Sequence, residues 1–150
     1  FQYVDDAGEV RDISSTDVNT YLRDITGEDF TAKDFRTWHG TVLAAIALQE
    51  FEKFDHQARA KRNIREAIQR VAMRLGNTPT ICRKCYIHPE IFASYAEGAL
   101  LVEVKQDVEA ELRDDLSHLA PEEAAVLAFL RVRLNATLKD KFEASLKSAA

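Results

Sequence analysis

From Ser14 onward, apolar residues recur three and four positions apart, and helix-capping residues punctuate them at intervals. That pattern fits stacked amphipathic helices and little else. Val18, Tyr21, Leu22 and Ile25 form the first set, behind the capping residues Ser14 and Ser15 and ahead of Gly27. Thr31-Ala-Lys-Asp34 has the form of a capping box and opens a second helix, with Phe35, Trp38, Val42, Leu43 and Ile46 on its apolar face. A third helix is predicted from about residue 58 to Leu75, carrying Ile64, Ile68 and Val71, with Gly76 as its C-cap. Thr78-Pro79 restarts the chain, because proline suits the first helical turn. A short helix then holds Ile81 to Tyr86, and His88-Pro89 breaks it to begin another that ends near Gly98. Two more helices are predicted, at about 101–116 and 121–146. Only the start departs: Phe1–Val4 and Glu9–Ile13 flank the turn-forming Asp5-Asp-Ala-Gly8 and read as a small hairpin. The predicted fold class is mainly α with a minor N-terminal β hairpin.

A chain of 150 residues is expected to form one domain. It can bury roughly 70% of its unfolded surface, so neither disulfide nor metal is needed to hold it. The two cysteines, close together in Cys82-Arg-Lys-Cys85, make no disulfide framework, which suits a reducing cytoplasm. Phe1 to Asp6 has neither a basic nor an apolar stretch of the kind a secretory signal requires. No apolar run approaches the length of a membrane span, so no membrane partner is expected.

The net charge of −5 argues mildly against nucleic acid, yet the charge is unevenly spread. Acids concentrate near the start (Asp5, Asp6, Glu9, Asp12) and from Glu103 to Asp115, whereas Arg59, Lys61, Arg62, Arg65, Arg70, Arg74, Arg83 and Lys84 make the middle basic. A local basic stripe binds phosphates even on an acidic chain.

Two segments are more specific: Thr31-Ala-Lys-Asp-Phe-Arg-Thr-Trp-His-Gly-Thr41 and Leu75-Gly-Asn-Thr-Pro-Thr-Ile-Cys-Arg-Lys-Cys-Tyr-Ile-His-Pro89. Together they resemble the two C-terminal active-site motifs of type IB DNA topoisomerases, in the compact poxvirus-like form found in bacteria. Those enzymes share a catalytic fold with tyrosine recombinases. The resemblance runs from Phe1 to about Gly98, and the tail from 99 to 150 is similar in helical character only. It implies a hairpin at about 1–13, catalytic helices over 14–98 and a helical tail over 99–150.

In that family a tyrosine attacks a phosphodiester of duplex DNA and forms a 3′-phosphotyrosyl link. The broken strand swivels, and the free 5′-hydroxyl reverses the attack. The resemblance implies Tyr86 as nucleophile, Arg36 as the second of two catalytic arginines, and Asn77 at a place where many members carry histidine. The family also uses a further arginine and a lysine upstream of what matches Phe1. The chain is therefore expected to be a C-terminal part of a longer catalytic domain and to be inactive alone.

The residue types suit this chemistry. A free phenol, with a pKa of about 10, is a weak nucleophile at neutral pH, so it calls for cationic neighbours. Arg36 can grip two nonbridging phosphate oxygens and stays charged at any working pH. Asn77 can donate a side-chain N–H to phosphate, although Gly-Asn after a helix is also an ordinary cap. Lys33 lies one turn before Arg36 on the same face and is a possible supporting residue, a solvated lysine being nearly as good a reading. Arg83, Lys84 and Arg62 are candidate contacts to DNA phosphates, and a solvated helix face is the plainer alternative. His39 and His88 read as structural, with His88 shaping the turn before Pro89. Tyr3, Tyr21 and Tyr95 read as core aromatics. Cys82, Cys85 and His88 lack the second ligand pair of a zinc site, so no metal is assigned.

Exchanging one phosphodiester for another needs no ATP, and no metal or other cofactor is expected. Duplex DNA is the expected partner, the protein is expected to be a monomer, and its expected place is the cytoplasm, at the nucleoid. Three rivals remain: a site-specific tyrosine recombinase, a non-catalytic helical binding module and a small zinc-binding domain. Recombinases of that scaffold typically show His-x-x-Arg where this chain has Lys33-Asp-Phe-Arg36.

Overall fold

The computed structural model describes residues 1–51, 56–100 and 119–148, with residues 140–148 by their backbone alone. Strands β1 (Gln2–Val4) and β2 (Val10–Asp12) pair antiparallel, with Tyr3 opposite Arg11. Helices α1 (Ser15–Thr26), α2 (Ala32–Gln49) and α3 (Gln57–Leu75) follow, then the single turn α4 (Pro79–Ile81). α4 runs on into a π-helical turn, Cys82–Tyr86, before α5 (Pro89–Glu97) and α6 (Pro121–Ser148). The fold is mainly α with one small hairpin, as predicted. The helix expected at about 101–116 lies outside the described residues.

The helix boundaries follow their caps. At α1, Ser14 N donates to Asp17 Oδ2 at 2.8 Å and Asp17 N donates back to Ser14 Oγ at 3.3 Å. Thr31 N donates to Asp34 Oδ2 at 2.9 Å at the start of α2. These carboxylates of Asp17 and Asp34 lie below the usual range, chiefly because the Ser14 and Thr31 side chains bond them. α3 stops at Gly76, whose φ of +64° favours a residue without a Cβ.

The core lies among α2, α3, α5 and α6. Leu48, Val71, Ile91, Tyr95 and Phe129 are its large buried members. Ala44, Ala45 and Ala47 on α2 and Ala60, Ala67 and Ala72 on α3 are buried as well, and their small size lets the two helices approach closely. Inside, Asn63 Nδ2 donates to the hydroxyl of Tyr95 at 2.8 Å, which satisfies two buried polar groups.

Three expectations about burial are corrected. α1 buries none of its residues, and its apolar stripe stays open, with Tyr21 63% exposed. Tyr3, at 51%, is not core either, whereas Tyr95 is. Phe35 is exposed although it belongs to the predicted apolar face of α2; the side of that helix which enters the core runs from Gly40 to Leu48. The first two share a reason: the hairpin and α1 sit outside the packed helices, and neither buries a residue. One of α1's links to them is Ala32 N, which donates to Asn19 Oδ1 at 3.0 Å.

Candidate active site

The site forms where α2, the end of α3 and the π-helical turn meet. α3 ends with free carbonyls, as every helix does. The carbonyl of Leu75 accepts from Arg36 Nη2 at 2.8 Å and from Asn77 Nδ2 at 3.1 Å. Two side chains that lie far apart in sequence thus converge on one oxygen. The Arg36 guanidinium also lies over the Tyr86 ring, 5.0 Å from its centroid. Arg36, Asn77 and Tyr86 are all half-buried, so each is held by packing and still open to solvent on one side. A guanidinium has five N–H donors, and the Leu75 bond takes one of Arg36's.

α2 holds the tyrosine segment through small and hydroxyl side chains. Gly40 lies against the backbone carbonyl of Tyr86, with no room for a Cβ. Thr41, which is 2% exposed, donates from Oγ1 to the Thr37 carbonyl at 2.7 Å and accepts the backbone N–H of His88 at 3.0 Å. The Thr37 hydroxyl lies 2.8 Å from the Lys33 carbonyl and 3.3 Å from that of Cys85. These contacts run down one face of α2 and fix the Cys82–His88 segment against it. Single π-helical turns of this kind recur at functional sites, because the wider turn re-aims side chains.

The side chains of the other singled-out residues make no hydrogen bond to Arg36, Asn77 or Tyr86, although Cys82 lies near enough to Arg36 to feel its charge. Lys33 is exposed and its side chain does not join the cluster. Arg83 lies over the Phe92 ring, 5.5 Å from its centroid, and lines a groove with α3. Lys84 and Arg62 are exposed. His39 is exposed, and His88 caps α5 by accepting Glu90 N at Nδ1, 3.3 Å away. Cys82 is buried, and burial pushes its thiol pKa up, whereas Cys85 is exposed. Among the described residues no three His, Cys, Asp or Glu side chains come together to hold a metal ion.

The sequence reading missed Gly40, Thr37 and Thr41 as parts of the site, although all three lie in the first motif. In a single sequence, a glycine and two threonines within a helix look like weak helix formers rather than contacts. It also missed what ties on the C-terminal helix. Trp38 Nε1 donates to Glu123 Oε1 at 3.0 Å, and Arg133 bridges Glu90 and Glu97 of α5, each at 2.8 Å. The Arg133 guanidinium beside Glu90 holds that carboxyl below its ordinary range, against the opposing effect of burial.

In this helical fold, Arg36 thus lies over a half-buried tyrosine and shares the Leu75 carbonyl with Asn77. The chain matches the catalytic core of eukaryotic DNA topoisomerase I over residues 2–115, and it belongs to that family. A DNA topoisomerase 1B from Acanthamoeba polyphaga mimivirus is 32% identical to it over 94 residues. That similarity takes in 58% of this chain and 28% of the relative's length.

Proposed function

We propose that the protein of this chain is a type IB DNA topoisomerase that cleaves and rejoins one strand of duplex DNA through Tyr86. The observation that carries the reading is the Arg36 guanidinium over the Tyr86 ring, with Arg36 and Asn77 meeting at the Leu75 carbonyl.

In the proposed step, the Tyr86 oxygen attacks the scissile phosphorus and gives up its proton. A P–O bond to the tyrosine forms, and the bond to the 5′-oxygen breaks. The 5′-oxygen leaves as a hydroxyl after taking a proton. Charge grows on the nonbridging oxygens in the transition state, and donors already fixed in place stabilise it without reorganising. Arg36 supplies a permanent charge there, and Asn77 an amide N–H. An amide does not donate a proton outright, so protonation of the leaving oxygen falls to another group. Reversal of the same steps reseals the strand, and the intervening swivel relaxes supercoils. One phosphodiester replaces another, so ATP has no part, and the proposed reaction uses no metal. Lys33 would support the catalytic group near the scissile phosphate, and Arg83, Lys84 and Arg62 would hold backbone phosphates. The protein would act as a monomer on DNA, in the cytoplasm at the nucleoid.

The test is relaxation of supercoiled plasmid by the intact protein that contains this chain, since the chain alone would lack the further arginine and lysine, and by its Tyr86→Phe variant, with magnesium and ATP omitted. Relaxation by the parent alone is the expected result, together with a covalent protein–DNA adduct that only the parent forms. A folded parent that neither relaxes DNA nor forms the adduct would sink the reading.

A further inference from the structure

A groove of about 520 Å³ separates α3 from the tyrosine-bearing segment. Lys61 and Arg65 line it from α3, and Arg83 from the π-helical turn. Among the described residues, the remaining polar members of its lining, Gln69 and Thr80, are neutral, and no carboxylate lines it. Ile64 and Ile68 form part of its apolar wall.

The cations of this groove, like Lys33, Arg62, Arg74 and Lys84, are not ion-paired with a carboxylate of the described residues. Arg11, Arg23, Arg70 and Arg133 each pair with a carboxylate, at 2.9 Å or less. Lys61, Arg65 and Arg83 have no ion pair with any described residue, on a chain whose net charge is −5. Lys61 and Arg65 stand one helical turn apart, a like-charge spacing that destabilises an isolated helix. Arg83 is already placed, its guanidinium resting over Phe92. Cations of one sign set against low-dielectric walls focus the field and draw in a polyanion.

We infer that this groove is a binding site for the backbone phosphates of duplex DNA, flanking the reaction centre and engaged through Lys61, Arg65 and Arg83. The inference rests on the proposed function for its choice of polyanion. Arg83 and Tyr86 belong to the same π-helical turn, but Tyr86 lies under Arg36 of α2 while Arg83 faces α3 and α5. Phosphates held in the groove would therefore grip the tyrosine segment through Arg83, a contact separate from the one Arg36 makes with Tyr86.

The test is binding of a fluorescent duplex oligonucleotide across a range of salt concentrations. Each phosphate neutralised contributes about 0.9 to the slope of log affinity against log salt. The Lys61→Gln/Arg65→Gln variant should bind more weakly at low salt, with the slope reduced by about 1.8. Arg83→Gln should reduce it by about 0.9. Arg70→Gln, which alters a carboxylate-paired arginine outside the groove, should keep the parental slope. A parent that binds duplex while both groove variants match its affinity and slope would overturn the groove and leave the proposed function standing. A folded parent that binds no duplex at any salt would overturn both.

Discussion

Gly40 of α2 and the backbone carbonyl of Tyr86 lie so close that a Cβ at position 40 would collide with that oxygen. The obstacle is main chain, so it cannot rotate aside as a side chain would. α2 and the tyrosine segment therefore meet in one spacing, and a glycine in mid-helix sets it. Gly40→Ala should gain about 1 kcal/mol of helix propensity and lose about 1–3 kcal/mol to overpacking. The variant should stay folded, with a melting temperature lower by a few degrees. Its plasmid relaxation should fall on the order of 100-fold, the usual cost of a misplacement near 1 Å. Parental relaxation by Gly40→Ala would show that the close approach has no bearing on the chemistry.

Arg36 serves two contacts at once, the Leu75 carbonyl and the Tyr86 ring. Arg36→Ala should lower the cleavage rate by about 100- to 1,000-fold, the scale seen when one fixed donor to a developing oxyanion is lost. Arg36→Lys should recover little of this, because an ammonium is a point charge without the planar fork. Single-turnover cleavage with bound duplex would measure both. Full recovery by lysine would mean that charge alone suffices.

Thr41 is a positioning residue, buried between the Thr37 carbonyl and the His88 N–H. Thr41→Val keeps the shape and strands the His88 N–H without its acceptor, a loss of about 1–3 kcal/mol. Thr41→Ser should restore the hydrogen bond and most of both stability and cleavage rate. Thermal melts beside single-turnover rates give the comparison. A valine variant as active as the serine variant would remove Thr41 from the account.

Docking of α6 carries a pH dependence. Glu90 has its pKa lowered in the folded protein, first by the hydrogen bond from Arg133. A depressed carboxylate contributes stability that is fully present above its unfolded pKa, near 4.5, and is lost as pH falls through the folded value. The melting temperature should therefore drop on acidification below that point. Glu90→Gln should flatten the drop, because a neutral amide does not titrate. Asp5, Asp17 and Asp34 are lowered in the same direction, so a residual slope should persist in the variant. Equal acid slopes for parent and Glu90→Gln would refute the assignment.

The sequence by itself determined the element order, the caps and the residues worth testing. Ser14, Thr31, Gly76 and Pro79 act through their own backbone and the next few residues, so their effects are legible without any tertiary contact. The two motifs likewise singled out Arg36, Asn77 and Tyr86, which the fold brings together.

Only the tertiary structure decided which apolar faces are buried and what holds the site. The stripe of α1 has the same helical period as that of α3, yet one is exposed and the other forms core. Periodicity specifies a face but not its partner. The meeting of Arg36 and Asn77 at Leu75, the fit of Gly40 under Tyr86 and the bridge from Arg133 to α5 join residues up to 46 positions apart. Such contacts depend on how helices pack, and packing is a property of pairs of surfaces that a local pattern does not contain.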